Sequence, residues 1–194
     1  MRLFVKIAPR ILGIQAEDKI NSSVIPRDAM NASEYVSLME QRLTASFDFK
    51  QPPSDELSSL AVWAEHNRTS QKYFLAKSVS LYTINNDEYV GLEVFPDGIR
   101  EEDIQTCFNR FKRLIDRLPA DESHMSSIFT AALISEKEIP TEVIRKLEKT
   151  KYHKDFWFTL RGWADLAIIL IDLSKGDIYS NPFGKKIKKN FVLS

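Results

Sequence analysis

Apolar positions along the chain fall into two spacings, and each spacing predicts an element. Val36, Met39, Leu43 and Phe47 recur at helical intervals behind Asn31 and Glu34, whose side chains can satisfy free N–H groups at a helix entrance. A helix is predicted over 32–46, and Pro52-Pro53 ends that region. Alternation follows. Leu60, Val62 and Ala64 oppose Ala61, Trp63 and Glu65. Tyr73, Leu75, Val79 and Leu81 mark a second extended segment, and Val90, Leu92 and Val94 oppose Tyr89, Glu93 and Phe95 in a third. Asn85-Asn86-Asp87 tolerate positive φ and suit a hairpin, so the three segments read as an antiparallel meander.

Past Pro96-Asp97-Gly98 the helical period returns. Ile104, Phe108, Phe111, Ile115 and Leu118 form one stripe, with Glu101, Glu102 and Asp103 in the first turn and Arg113 and Arg117 near the last, as the helix dipole favours. Pro119 closes it. Segment 128–134 is apolar on both faces, the mark of an interior strand. Pro140 opens a short helix carrying Val143, Ile144 and Leu147. Segments 156–160 and 166–173 read as strands, and Ser174-Lys175-Gly176-Asp177 turns the chain into a last strand at 178–180. The order α-βββ-α-β-α-βββ predicts an α+β (mixed α/β) fold: one mixed, mainly antiparallel sheet with helices packed on it. Residues 1–30 show no sustained period, so they read as a loosely attached arm with a short element at 3–8. Residues 31–194 read as a single domain without internal repeats.

The chain has 194 residues, 43% apolar and 28% charged, and can bury a core without metal or disulfide support. Lys+Arg and Asp+Glu are both 27, so no bulk field draws it to nucleic acid or membrane. Neutrality hides a split. Residues 145–194 hold eleven Lys and Arg against five Asp and Glu, an excess of six cations matched by an equal deficit in 1–144. One basic edge on a single domain accounts for this, and so does a tail that grips nucleic acid or an acidic partner. The lone cysteine, Cys107, excludes an intramolecular disulfide and fits a reducing cytoplasm. Lys6 and Pro9 interrupt the apolar start, and the longest apolar run, 166–171, is six residues against roughly 20 needed to cross a bilayer. Neither a leader nor a membrane partner is expected, and the expected location is cytoplasmic.

Spacing also limits the chemistry. His66, His124 and His153 form no HExxH and no close pair, so no metal is expected. Cys107 lies mid-helix beside the buried stripe, where a thiol is inert packing. There is no Gly-x-Ser-x-Gly elbow, and Ser123-His124-Met125-Ser126 sets hydroxyl beside imidazole only as chain neighbours. The six glycines include no GxGxxG, and Gly184-Lys185-Lys186 lacks the Walker spacing, so no cofactor is expected.

The enzyme alternative is a divergent Mg²⁺-dependent nuclease, because the α-βββ-α-β order resembles the core of restriction-endonuclease-like folds. Those enzymes set an acid and a Glu/Asp-x-Lys pair on one strand face to hold Mg²⁺ and activate water. Glu93 stands on the right strand, but Phe95 occupies the lysine's place. Lys77 on the preceding segment would substitute, with Glu65 as the partner acid. The triplets Glu17-Asp18-Lys19 and Asp48-Phe49-Lys50 match the pattern but fall outside the predicted strands. The plainer reading of Lys77 and Glu93 is an exposed cross-strand ion pair.

Tyr152, His153, Phe156, Trp157, Phe158, Arg161, Trp163 and Asp165 crowd fourteen positions. Within Arg161-Gly162-Trp163-Ala164-Asp165 the arginine and aspartate can bridge, with tryptophan over the guanidinium. Such a turn is either locked by its own salt bridge or offers Arg161 and Trp163, with His124 and Asp165 as further candidates, to a carboxylate, phosphate or base. Asp165 and Asp172 cannot share a metal on a straight strand, being about 23 Å apart at roughly 3.3 Å per residue. Lys185, Lys186, Lys188 and Lys189 alternate with Phe183, Ile187 and Phe191, a mixture that can hold a nucleic-acid single strand by charge and stacking. An edge strand or terminal helix with a solvated lysine face is the plainer reading.

From Asn31-Ala32-Ser33-Glu34-Tyr35 through Ser123-His124-Met125-Ser126 and Arg161-Gly162-Trp163-Ala164-Asp165-Leu166 to Asn181, the layout resembles a prokaryotic family of uncharacterised domains. The resemblance implies one domain with residues 1–30 appended, and brings no activity or catalytic residues. The expectation is a small, soluble, non-catalytic binding or adaptor domain. A homodimer through a sheet edge or the 156–160 segment is its simplest assembly. Nuclease action and nucleic-acid binding through the basic C-terminal region stand as alternatives.

Overall fold

Segment 126–135 buries all ten of its residues, which a strand achieves with a neighbour on each edge and a covering layer on each face. A computed structural model supplies both; it describes residues 30–66, 87–118, 126–156 and 162–193. In chain order these form α1 (Ala32–Thr44), β1 (Asp48–Phe49), β2 (Val62–His66), β3 (Asp87–Phe95), α2 (Glu101–Asp116), β4 (Ser126–Ser135), α3 (Thr141–Lys149), β5 (His153–Asp155), β6 (Trp163–Asp172) and β7 (Asp177–Ser180). The seven strands make one mixed sheet in the order β1-β2-β3-β4-β6-β5, with β7 also on β6. The fold is of the α+β class. Its four antiparallel ladders are short, and the two long ones, β3–β4 and β4–β6, are parallel.

Two cores lie on the two faces. Tyr35, Met39 and Leu43 of α1 pack with Ile187 and Phe191 on Val62, Val90, Ala132, Ile169 and their neighbours. On the other face, Ile104, Cys107, Phe111 and Ile115 of α2 join Val143 and Leu147 of α3 over Phe129, Leu133, Leu166 and Ile168. The buried line of α2 thus runs through Cys107, while Phe108 and Leu118 are only partly buried. The capping box at α1 forms as expected, with Glu34 N–H donating to Asn31 Oδ1 at 2.9 Å and Asn31 N–H to Glu34 Oε2 at 3.0 Å.

One expectation changes. Val62 pairs with Leu92 and Trp63 with Gly91, so β2 and β3 are direct neighbours, and β4 fills the other edge of β3. With both its edges filled, β3 has no place for the middle strand of a meander; residues 73–81 lie outside the described residues. The strand expected at 156–160 falls almost wholly outside the described residues, and just before it lies His153–Asp155, a polar edge strand invisible to hydrophobic patterning. Phe156 follows it as a buried residue, and 157–160 lie outside the described residues.

The outer edge of β6 is served in pieces. β5 pairs with Trp163–Asp165 and β7 with Ile169–Asp172. Between them, Leu166 N–H reaches Tyr152 O at 3.1 Å, and the buried Asn181 takes the rest. Its Nδ2 donates to Leu166 O at 2.8 Å, its Oδ1 accepts from Ile168 N–H at 3.1 Å and Gly184 N–H at 2.9 Å, and its own N–H reaches Ile168 O at 3.0 Å. A Cβ at Gly184 would stand 2.9 Å from Ser180 Cβ and 3.3 Å from both Asn181 Oδ1 and Ile168 O, so the turn needs glycine.

Replacing Asn181 by Ala strands buried backbone groups of β6 and should cost about 2–4 kcal/mol. Urea denaturation should show a lower midpoint with an unchanged m-value. Gly184→Ala should destabilise through the same clamp, whereas Lys185→Ala next to it should not.

Candidate functional site

The start of β6 gathers the residues singled out in the sequence. Trp163 and Asp165 project to the α1 side of the sheet by strand alternation, with Asp155 and His153 of β5 directly opposite them. His153 Nδ1 lies 2.6 Å from Asp165 Oδ1, and Nε2 lies 3.2 Å from Asp155 Oδ1. The imidazole ring is stacked near Trp163, with centroids 6.1 Å apart, and near Phe183, at 6.3 Å. The partner of Asp165 among the described residues is therefore His153. Arg161 and His124 lie outside them, as does Lys77.

The electrostatics decide what this histidine can do. The hydrogen bond to Asp165, helped by Asp155, holds the His153 imidazolium above the ordinary 6.5. Burial lifts the Asp165 carboxyl above its usual range, with His153 pulling against it. Both ring nitrogens face carboxylate oxygens, an arrangement that favours the doubly protonated ring.

Register extends this corner into a row. His66 on β2, Glu88 on β3, Ile128 on β4, Asp165 on β6 and His153 on β5 stand opposite one another in turn, on one face. His66 is held by Ser46 O, 2.6 Å from its Nδ1, and Glu88 is buried. Sequence spacing carries no trace of this row, because it exists only once the register is set. Among the described residues no group of three His, Cys, Asp or Glu is placed to hold a metal ion.

The nuclease residues are dispersed. Glu65 lies opposite Tyr89, so Glu93 stands four positions away along β3, about 13 Å at the usual strand rise. Glu65 accepts from Lys50 Nζ at 2.6 Å and Trp63 Nε1 at 2.8 Å. Glu93 is buried against Arg110, with Ser59 Oγ donating to it at 2.7 Å, so it is not the exposed partner of a cross-strand lysine. The Asp48-Phe49-Lys50 triplet, expected outside a strand, begins in β1 and sets Asp48 opposite Glu65. Burial pushes the Cys107 thiol up to about 12, which leaves it inert at neutral pH.

The lysine-rich segment forms two 3-10 turns, Phe183–Lys186 and Lys188–Phe191, joined through Ile187 in helical conformation. Ile187 and Phe191 are buried and Phe183 packs on the same core, while Lys185, Lys186, Lys188 and Lys189 are exposed. Tyr35 Oη donates to Phe191 O and Arg42 Nη1 to Val192 O, both at 2.5 Å, fixing this strap to α1.

Because the folded-state pKa of His153 is raised, its ion pairs stabilise the fold fully below pH 6.5 and lose that effect as pH rises through the raised value. The stability gap between the native chain and His153→Asn should therefore be larger at pH 5.5 than at pH 9. It should stay under about 1 kcal/mol, since the ring is 43% exposed. Denaturation at both pH values checks the sign, and an NMR titration should place the His153 midpoint above 6.5.

Among the described residues no helix is long and apolar enough to cross a membrane. No curated protein and no solved structure matches the chain. A model for a domain of unknown function, DUF8052, matches residues 31–193, which takes in every described strand and helix and both partners of the His153–Asp165 pair. The chain belongs to the DUF8052 family of domains of unknown function.

Proposed function

We propose that the chain is a non-catalytic binding domain whose recognition corner is built by Trp163, Asp165 and His153 at the start of β6. The observation that carries this reading is the double engagement of His153, whose two ring nitrogens both face carboxylates beside the half-buried Trp163. Two carboxylates against one imidazolium give the corner a net negative charge, and the half-buried Trp163 adds an aromatic face. An ammonium or guanidinium group is the ligand chemistry that fits. The reading includes a cytoplasmic location, supported by a single inert thiol, a prokaryotic source, supported by the family resemblance, and a dimer through a sheet edge. A monomer by light scattering at high micromolar concentration counts against the dimer.

The nuclease alternative draws on one observation, the placing of Asp48 and Lys50 beside Glu65 at the sheet edge. The ion pairs that occupy Glu65 and Glu93, and their separation, favour the binding reading.

Titrating labelled protein with arginine, spermidine, acetate and phosphate should shift the Trp163 indole and His153 resonances with the cations only. Trp163→Ala should abolish the response. Shifts with the anions alone, or none at the corner, would overturn the reading. Incubation with single- and double-stranded DNA and RNA in Mg²⁺ or Mn²⁺ should give no cleavage. Cleavage lost on Lys50→Ala or Lys77→Ala would establish the nuclease instead.

A further inference from the structure

We propose that the strap formed by the two 3-10 turns is a docking surface for the phosphate backbone of a double-stranded nucleic acid, beyond and separate from the Trp163 corner. Four lysines fall within five positions, and all four are exposed. Among the described residues no salt bridge joins any of them to a carboxylate, in contrast to Lys50, Arg113 and Lys175. Lys185 and Lys186 end the first 3-10 turn and Lys188 and Lys189 open the second, so the four are carried on one short stretch around Ile187. The third side of the same turns, with Gly184 and Ile187, is buried against the sheet. The result is a compact group of four exposed ammonium side chains on a scaffold pinned by Asn181, Tyr35 and Arg42.

The partner follows from what the strap offers and withholds. Its aromatic residues are committed inward, Phe191 to the core and Phe183 to the core edge and the His153 ring. Bases therefore have no ring to stack on, which removes the main source of single-strand affinity. Charge without apolar side chains also suits phosphate better than a bilayer: Val192, 40% exposed, is the only large exposed apolar residue in the segment. What remains is sequence-independent contact with closely spaced phosphates, the contact that releases counterions from a duplex.

Fluorescence anisotropy of the full chain with a labelled duplex of arbitrary sequence tests this. With four phosphate contacts, affinity should fall with a log–log salt slope of about −3.6, or roughly a hundredfold between 50 and 200 mM salt. Replacing all four lysines by Gln should weaken binding at low salt by at least about tenfold and flatten the slope. The pair Lys188→Gln and Lys189→Gln should remove about half of the slope, and serves if the fourfold variant misfolds. Trp163→Ala should leave duplex binding unchanged, so failure at the corner and failure at the strap are separable. No duplex binding at low salt, or binding indifferent to the lysines, would overturn the proposal. So would tighter binding of a single strand of equal length, or binding confined to phosphatidylserine vesicles.

Discussion

The side-chain amide of Asn181 does the work of a missing piece of strand. β6 runs for ten residues through the middle of the molecule, but β5 covers only three residues of its outer edge and β7 four. The N–H of Ile168 and the carbonyl of Leu166 fall in the gap, buried, where an unpaired polar group costs about 1–3 kcal/mol. Asn181 presents a donor and an acceptor in the geometry of a peptide, and Gly184 comes close enough to share its oxygen. The gap fixes the rest of the layout. β5 starts beside the clamp, with His153 opposite Asp165, and the chain leaving the clamp turns into the lysine strap.

Elsewhere several of the described buried polar groups serve to hold the fold. Asp172, fully buried at the far end of β6, accepts from Ile139 N–H, Ser174 Oγ and Lys175 N–H, tying the loop before α3 to the turn before β7. These contacts lie at the carboxyl end of β6, on the side of the sheet where open α/β sheets commonly bind ligands. Arg110 and Glu93 neutralise one another under Ser59. Removing either partner would leave a buried charge, so the pair reads as architecture. Chemistry available to a partner is thereby pushed to the opposite end of the sheet and to its surface.

Much of the fold was legible because amphipathic periods report which face of an element is buried. The capping box of α1, the acidic first turn of α2, Pro140 before α3 and the doubly apolar β4 all appear where pattern and local chemistry put them. Pairing was not legible. Apolar alternation in β3 says that both faces are covered, not that its neighbours are an antiparallel β2 and a parallel β4. β5 escaped because His153, Lys154 and Asp155 carry no apolar signal; their cover comes from Asp165 and from the α2 carbonyls of Ile115 and Asp116, which accept from Lys154. In the candidate site, Trp163 and Asp165 stood out in the sequence, whereas His153 as the bridge and Phe183 as the second ring depended on β5 and the strap meeting across β6.

The zero net charge of the chain is therefore misleading about its surface. Distant charges are screened within about 10 Å at ordinary ionic strength, so a partner senses local groups and not the total. Among the described residues the corner sets Asp155 and Asp165 against the one imidazole of His153, while the strap beginning beside it at Phe183 carries four lysines and no acid. Two short-range fields of opposite sign thus meet at the Phe183 ring. A polyanion docked on the strap as proposed would be drawn toward Lys188 and Lys189 and opposed toward the corner. A cation at the corner feels the reverse. Neither field extends far enough to attract the wrong partner to the whole molecule, and the neutral sum keeps each contact local and dependent on salt.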